Sequence, residues 1–301
     1  MGVFPYNKIK MKKHYHIIGC GSGWGAKIRG CEDGPDDLVV GGVFERLRKL
    51  GVLIDVEMIY PEKRARDVEI PLPLSLPLVK EFNLKLLHEV RQALKKGEFP
   101  IVIGGDHSMA VGTWNAFEEP YGLLWLDAHM DSHTPETTPS GAYHGMPLAA
   151  LLGFGAEEMT RSMRPKSLLS PKNVALIGVR SFEEEESALL QRLGVRVYFI
   201  EEVRERGVSQ IFPEAIDHVT RGVARYGVSL DLDMFSPEDA PGVGSPVLLG
   251  VKAREALSLF SLFRKDPRWM GLEIMEFNPH LDVDHKTREL VFEILKEVLD
   301  R

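Results

Sequence analysis

The feature that most constrains this chain is an alternation. Eight short apolar runs, at 14–20, 52–60, 99–105, 122–128, 174–180, 195–200, 226–233 and 269–277, read as strands. Helical periodicity lies between most of them, at 80–96, 108–117, 144–152, 181–193, 208–225 and 251–263, with a last helix at 287–300. In 80–96, Phe82, Leu86, Val90, Ala93 and Leu94 share one face, and Gly97 and Pro100 supply the stop. Ser181-Phe182-Glu183-Glu184 reads as a capping-box start. Near-continuous apolar strands alternating with helices require a parallel sheet covered on both faces. The expected fold is a single doubly wound α/β domain over 1–301, a three-layer sandwich with a mostly parallel sheet. Residues 1–13 form a loose N-terminal extension in this reading. The segment 61–79, with Pro61, Pro71, Pro73 and Pro77, is expected to be a surface loop and not a domain boundary.

Composition narrows the function. A formal net charge of -7 argues against a nucleic-acid partner. No apolar run approaches the roughly 18 residues that a membrane span needs. The Lys-rich start lacks a secretory pattern. Cys20 and Cys31 are too few for a disulfide framework, so a cytoplasmic, reduced protein is expected.

The chemistry gathers where strands end. Asp106 and His107 follow the strand at 99–105. Asp127, His129 and Asp131 follow the strand at 122–128, Asp231 and Asp233 close 226–233, and Glu276 closes 269–277. Open parallel sheets place ligand sites at these carboxyl ends. Each piece alone has a bland reading: a solvated strand end for DxHxD, a cap or turn for DxD, a Gly-rich turn for GGDH. Together they exceed what one ion needs. Burying so many carboxylates without a cation is very costly. Hard oxygens with imidazoles suit Mn²⁺, and two ions sharing carboxylates fit the count. His144, after the polar loop 132–143, is either a structural cap or a proton shuttle.

One motif points elsewhere. Gly21-Ser22-Gly23-Trp24-Gly25-Ala26 matches the G-x-G-x-x-A dinucleotide fingerprint after the first strand. Residues 27–31 show no convincing crossover helix, and no later strand ends in an acid at the required distance. The segment is therefore read as a turn-rich loop, with an oxidoreductase as the competing enzyme class.

The segments IGGDHS, LDAHMDSHTPETTPSGAYHGMPLA, SLDLDMFSPEDAPGVGSP and GLEIMEFNP, with RGCEDGP and IGVRSFEEEE, resemble the arginase family of ureohydrolases, most closely arginase itself. The resemblance runs from about residue 14 to 298. It implies a binuclear manganese centre, two Mn²⁺ per subunit, on His107, Asp127, His129, Asp131, Asp231 and Asp233. It further implies that Asp131 steers the nucleophile, that His144 shuttles protons, and that Glu276 holds the guanidinium. A hydroxide bridging the ions would attack the guanidinium carbon, giving urea and an amine. It also implies a homo-oligomer, a trimer or hexamer.

Substrate positions depart from the family pattern. Thr138 and Ser140 match, but His133 and Ala142 replace two usual asparagines. Glu183 stands where an aspartate is usual, and Ser236 replaces an aspartate in DxDxxDP. His133, Thr138, Ser140, Glu183, Glu186 and Ser245 are the candidate substrate-binding residues. Residues 183–186 also fit an acidic first helical turn. L-arginine is the expected substrate; agmatine or another guanidino compound is the alternative. A metal-binding relative without catalysis is a third reading.

Overall fold

The computed structural model describes residues 13–65 and 70–300, so the expected extension 1–13 lies, but for Lys13, outside the described residues. Eight parallel strands form one sheet: β1 Tyr15–Cys20, β2 Ile54–Ile59, β3 Phe99–Gly104, β4 Tyr121–Leu126, β5 Leu169–Val179, β6 Arg196–Phe199, β7 Tyr226–Asp231 and β8 Trp269–Met275. Their order is β2-β1-β3-β8-β7-β4-β5-β6, and every pairing is parallel. The expected sheet is thus found, with no antiparallel strand among the described residues.

Alternation along each strand sorts the helices into two layers. Tyr15, Ile17, Ile101, Ile103, Leu124, Leu126, Val228, Leu230, Leu272 and Ile274 face one layer. That layer holds α1 Gly34–Val40, α2 Val43–Lys49, α7 Ile200–Arg206, α8 Val208–Val219, α9 Ala253–Lys265 and α10 Lys286–Val298. The neighbouring residues Ile18, Val102, Leu123, Trp125 and Leu176 face the other. That second layer is α3 Leu76–Lys95, α4 Ala110–Asn115, α5 Pro147–Leu151 and α6 Glu184–Leu193. Both faces are therefore dry, which is why the strands read as unbroken apolar runs. Cutting a core side chain such as Leu124, which is fully buried, to alanine costs about 2–5 kcal/mol.

Several boundaries differ from the sequence reading. Helices α1 and α2 follow the glycine loop and were not expected; each spans seven residues, split by Gly41-Gly42. Two turns give too little periodicity to detect. Helix α3 begins at Leu76, inside the expected 61–79 loop, because Pro77 sits in its first turn, where a missing N–H is harmless. Residues 66–69 of that loop are outside the described residues. Helix α7 divides the segment after β6, and α8 ends at Val219 and not at 225. The capping box of α6 forms on Glu183 and Glu186 instead of Ser181.

Chain order and spatial order diverge at the centre of the sheet. The last two strands, β7 and β8, insert between β3 and β4. The ends of β3, β8, β7 and β4 thereby become neighbours, and these are the four strands that carry the acids and histidines.

Candidate metal centre and adjoining cavity

His107 lies just past β3, and its Nδ1 points into a group of carboxylates. It is 3.3 Å from Asp127 Oδ2, 3.0 Å from Asp131 Oδ2 and 3.3 Å from Asp231 Oδ2. His129 Nδ1 is 2.9 Å from Asp233 Oδ2 and 3.5 Å from Asp127 Oδ1. The ligand-capable atoms fall into two groups, His107-Asp127-Asp231 and Asp127-His129-Asp233, each within 4.8 Å. Asp127 belongs to both. All six candidates are brought together, and all but His129 are buried.

Local structure fixes these side chains. Asp231 Oδ1 accepts from the Asp233 backbone N–H at 2.8 Å, and Asp233 Oδ1 accepts from the Ala128 N–H at 3.1 Å. Trp125 Nε1 donates to Asp127 Oδ2 at 2.9 Å, while the Trp125 ring stacks on His107 with centroids 4.3 Å apart. Asp131 and Glu276 are non-glycine residues with positive φ, 49° and 67°. Such conformations cost on the order of 1 kcal/mol and persist where the surroundings enforce them.

Beneath the centre, Ser229 Oγ donates to Glu273 Oε1 at 2.6 Å and lies 2.8 Å from His107 Nε2. With the serine proton directed at Glu273, its oxygen receives the Nε2–H. The neutral ring then presents its lone pair at Nδ1, toward the carboxylates. Both His107 Nδ1 and Asp131 Oδ2 are buried without a hydrogen-bond partner among the described residues. Buried polar atoms rarely stay unmatched. Two such atoms, facing each other among carboxylates and imidazoles with no thiol, fit hard divalent cations. The residues present therefore suit the metal that the sequence resemblance implies.

Titration behaviour agrees with a crowded acidic site. Burial opposes protonation of His107, but the carboxylates of Asp127, Asp131 and Asp231 facing its Nδ1 outweigh it and hold its pKa well above the usual range. For His129 burial acts the same way, and the Asp233 charge overrides it. Burial pushes Asp131 up to about 7, with the Asp127 charge adding to it. Asp231 is raised by burial and by Asp233. Asp127 is lowered although burial opposes it, because both histidine rings face its carboxylate.

A cavity of about 370 Å³ opens over the centre. Its buried floor holds Asp131, Asp231, Asp233 and Glu276; its lining also includes His133, Ser140, His144, Glu183, Glu186 and Ser245. Glu276 Oε1 accepts from the His107 N–H at 2.9 Å and faces His144 Nδ1 at 3.0 Å. Burial disfavours a charged His144, but Glu276 raises its pKa to about 9. The His144 backbone N–H donates to the Gly25 carbonyl, tying that segment to the glycine loop.

The other expected positions divide. Thr138 does not line the cavity; its Oγ1 accepts from the Gly141 N–H at 3.1 Å and shapes the loop. His133 Nε2 donates to Glu183 Oε2 at 3.0 Å and sits 3.3 Å from Glu186 Oε2. Ala142 is buried, with its N–H donating to Ser140 Oγ. Ser236 joins Lys252 and Glu238 in a network away from the cavity.

Several participants escaped the sequence reading. Ser229 shares a strand face with Asp231, and Glu273 is a lone acid inside an apolar run; both were available signals. Arg180, whose guanidinium donates to the carbonyls of Asp233 at 2.7 Å and Val247 at 2.9 Å, braces the DxD turn. Lys27 lines the cavity from the glycine loop. The loop's glycines now have a reason: a Cβ on Gly25 would lie 2.3 Å from Asp106 Oδ1, and one on Gly23 would lie 2.4 Å from Glu32 Oε2. They permit close packing, and the Gly25 N–H donates to Asp106 Oδ2 at 2.9 Å.

A model of the arginase family matches residues 13–300. The chain is 37% identical over 290 residues to an arginase of Bacillus caldovelox, covering 94% of this chain and 97% of that one. A crystal structure of arginase from Bacillus subtilis superimposes with a TM-score of 0.88 at 33% identity, covering 96% of this chain and 99% of that one. An Entamoeba histolytica arginase in complex with L-ornithine gives 0.86 at 27% identity, with 95% and 98% covered.

Proposed function

The chain belongs to the arginase family, hydrolases acting on the guanidino group, and from that premise we propose that it hydrolyses L-arginine to L-ornithine and urea at a binuclear manganese centre. The observation that carries the reading is the pair of orphaned buried atoms, His107 Nδ1 and Asp131 Oδ2, set among carboxylates that share Asp127. His107, Asp127, Asp131 and Asp231 would hold one ion; Asp127, His129 and Asp233 would hold the other. When bound, the ions supply a strong nucleophile from water near neutral pH and offset charge developing at the substrate.

The chain's own groups do the rest. Glu276 has one oxygen fixed by His107 N–H and His144, which leaves Oε2 to accept from the guanidinium in a charge-assisted bond. This holds the planar guanidinium over the floor. His144, kept protonated at neutral pH by Glu276, delivers a proton to the leaving amine. Asp131, pinned at positive φ, aims a carboxylate oxygen at the same point as His107 and orients the attacking water. The related arginase solved with L-ornithine supports an amino-acid product. His133 in place of an amide favours a second reading, hydrolysis of a different guanidino compound at the same centre.

The protein is further proposed to be a single-domain cytoplasmic enzyme that assembles as a trimer or hexamer and acts on a small guanidino substrate. No helix among the described residues is long and apolar enough to cross a membrane. The deciding experiment loads the purified protein with Mn²⁺, counts ions per chain, and compares urea release from L-arginine and agmatine. Two ions per chain with urea from arginine is the expected result. Stoichiometric loading without urea from either compound would sink the hydrolase assignment.

A further inference from the structure

We propose that the cavity recognises the far end of its substrate as an anion, with Lys27 as the receiving cation. The inference rests on the hydrolase reading and deepens it: the substrate class is a guanidino carboxylate, with an α-amino group dispensable.

A guanidinium seated on Glu276 occupies the acidic floor, so the rest of the molecule emerges at the exposed rim. That rim carries Lys27, Ile28, Pro139, Ser140 and Glu183. Two acids could in principle attract a substrate ammonium there, but both are engaged by the chain itself. Glu183 accepts from the Glu186 N–H in the capping box and from His133 Nε2 at 3.0 Å. Glu186 Oε1 accepts from the Ser132 N–H at 3.0 Å, its Oε2 accepts from the Glu183 N–H at 3.2 Å, and His133 lies 3.3 Å away. These bonds start α6 and anchor the loop that follows Asp131. An ammonium would have to compete with them.

Lys27 is the opposite case. It lines the cavity and makes no hydrogen bond or ion pair among the described residues. Its loop is held in place at both ends of the contact: Gly25 N–H bonds Asp106, and Gly25 carbonyl receives the His144 N–H. A free ammonium on a braced loop, opposite a floor that takes a cation, matches a molecule with a cation at one end and a carboxylate at the other. Ser140, also on the rim, offers a hydroxyl to the same end.

The test uses the Mn²⁺-loaded protein with L-arginine, its deaminated analogue δ-guanidinovalerate, and agmatine. Arginine and δ-guanidinovalerate should agree in kcat/KM within about fivefold, with agmatine at least about tenfold poorer. Lys27→Met should raise KM for the two carboxylates about three- to tenfold with kcat held, and leave agmatine unchanged; Lys27→Glu should go further. Calorimetry with δ-aminovalerate should show the same weakening without any turnover. Agmatine preferred over δ-guanidinovalerate, or KM indifferent to Lys27→Met, would overturn the inference while leaving the hydrolase intact. Silence with all three substrates would instead bring down the hydrolase reading, and this one with it.

Discussion

The floor and the rim of the cavity are built by different rules. The floor stands at the ends of β3, β8, β7 and β4, four neighbours in the middle of the sheet. Its groups are buried, tied to backbone N–H groups and braced from below by Ser229, Glu273, Trp125 and Arg180. The rim is made of loops: the glycine loop at 27–28, the turn at 138–142, and the start of α6. Lys27, Ile28, Pro139, Ser140 and Glu183 are exposed there, and the rim's bonds stay within each loop or cross to one neighbour. Rigid strands can hold several charged groups at a common point. Loops can change their lining without disturbing the sheet. The chain follows this division, with the acidic and imidazole groups gathered at the strand ends and the loop residues around them.

The contrast can be broken from the floor outward. Asp131→Ala should abolish urea release, by at least about 10⁴-fold, because one side chain both ligates and orients; its metal content, counted by elemental analysis, should fall as well. Two ions per chain with full activity would remove Asp131 from the centre. Glu276→Gln should keep the ions and lose about 2–5 kcal/mol of transition-state stabilisation, roughly thirtyfold to a few thousandfold in kcat/KM. Unchanged kinetics would show that the guanidinium binds elsewhere. Ser229→Ala touches no ion and no substrate, yet it removes the partner that orients His107. Manganese affinity, followed by competition with a chelator, should drop about 10–100-fold. An unaltered affinity would make the Ser229-Glu273 relay a packing feature only.

Acidity sharpens the same comparison. In the metal-free protein His107 and His129 have raised pKa values, their carboxylate neighbours outweighing burial, and burial raises Asp131 to about 7. Groups raised in the folded state stabilise it below their unfolded pKa and lose that contribution as pH climbs through the folded value. Metal-free protein should therefore lose Tm as pH rises above about 6.5, the ordinary histidine value, while metal affinity rises in the same direction because ions replace protons. Calorimetry in buffers of different ionisation heat should find protons released on loading at pH 7.5. No release, together with a flat metal-free Tm, would contradict the crowded geometry of the floor. The smallest effect is expected at the rim: Ser140→Ala should change kcat/KM by less than about fivefold, as for a single exposed hydrogen bond. A hundredfold loss would mean that the rim is as preorganised as the floor.

Some of this was legible beforehand because it depends on local periodicity. The eight strands, most helices, and the placement of Asp127, His129, Asp131, Asp231, Asp233 and Glu276 at strand ends all follow from which residues are apolar and how they are spaced. Helices α1 and α2 were not legible, since seven residues give too few repeats to separate a helix from a turn. Lys27 was not legible either, because nothing local marks a lysine in a glycine loop as facing a cavity.

By itself, then, the order of residues determined a parallel sheet with charged groups at its carboxyl edge and a donor set without thiols. What only the tertiary structure decided is which of those edges meet. Strands β7 and β8, last in sequence, enter between β3 and β4 and bring Asp231, Asp233 and Glu276 against His107 and Asp127. The same folding sets Ser229 and Glu273 under His107, turns Glu183 and Glu186 toward His133, and leaves Lys27 at the rim without a partner among the described residues. Spacing along a chain fixes the face on which a side chain lies. Only packing of distant segments fixes its partner, and in this cavity the partners decide which groups remain free for chemistry.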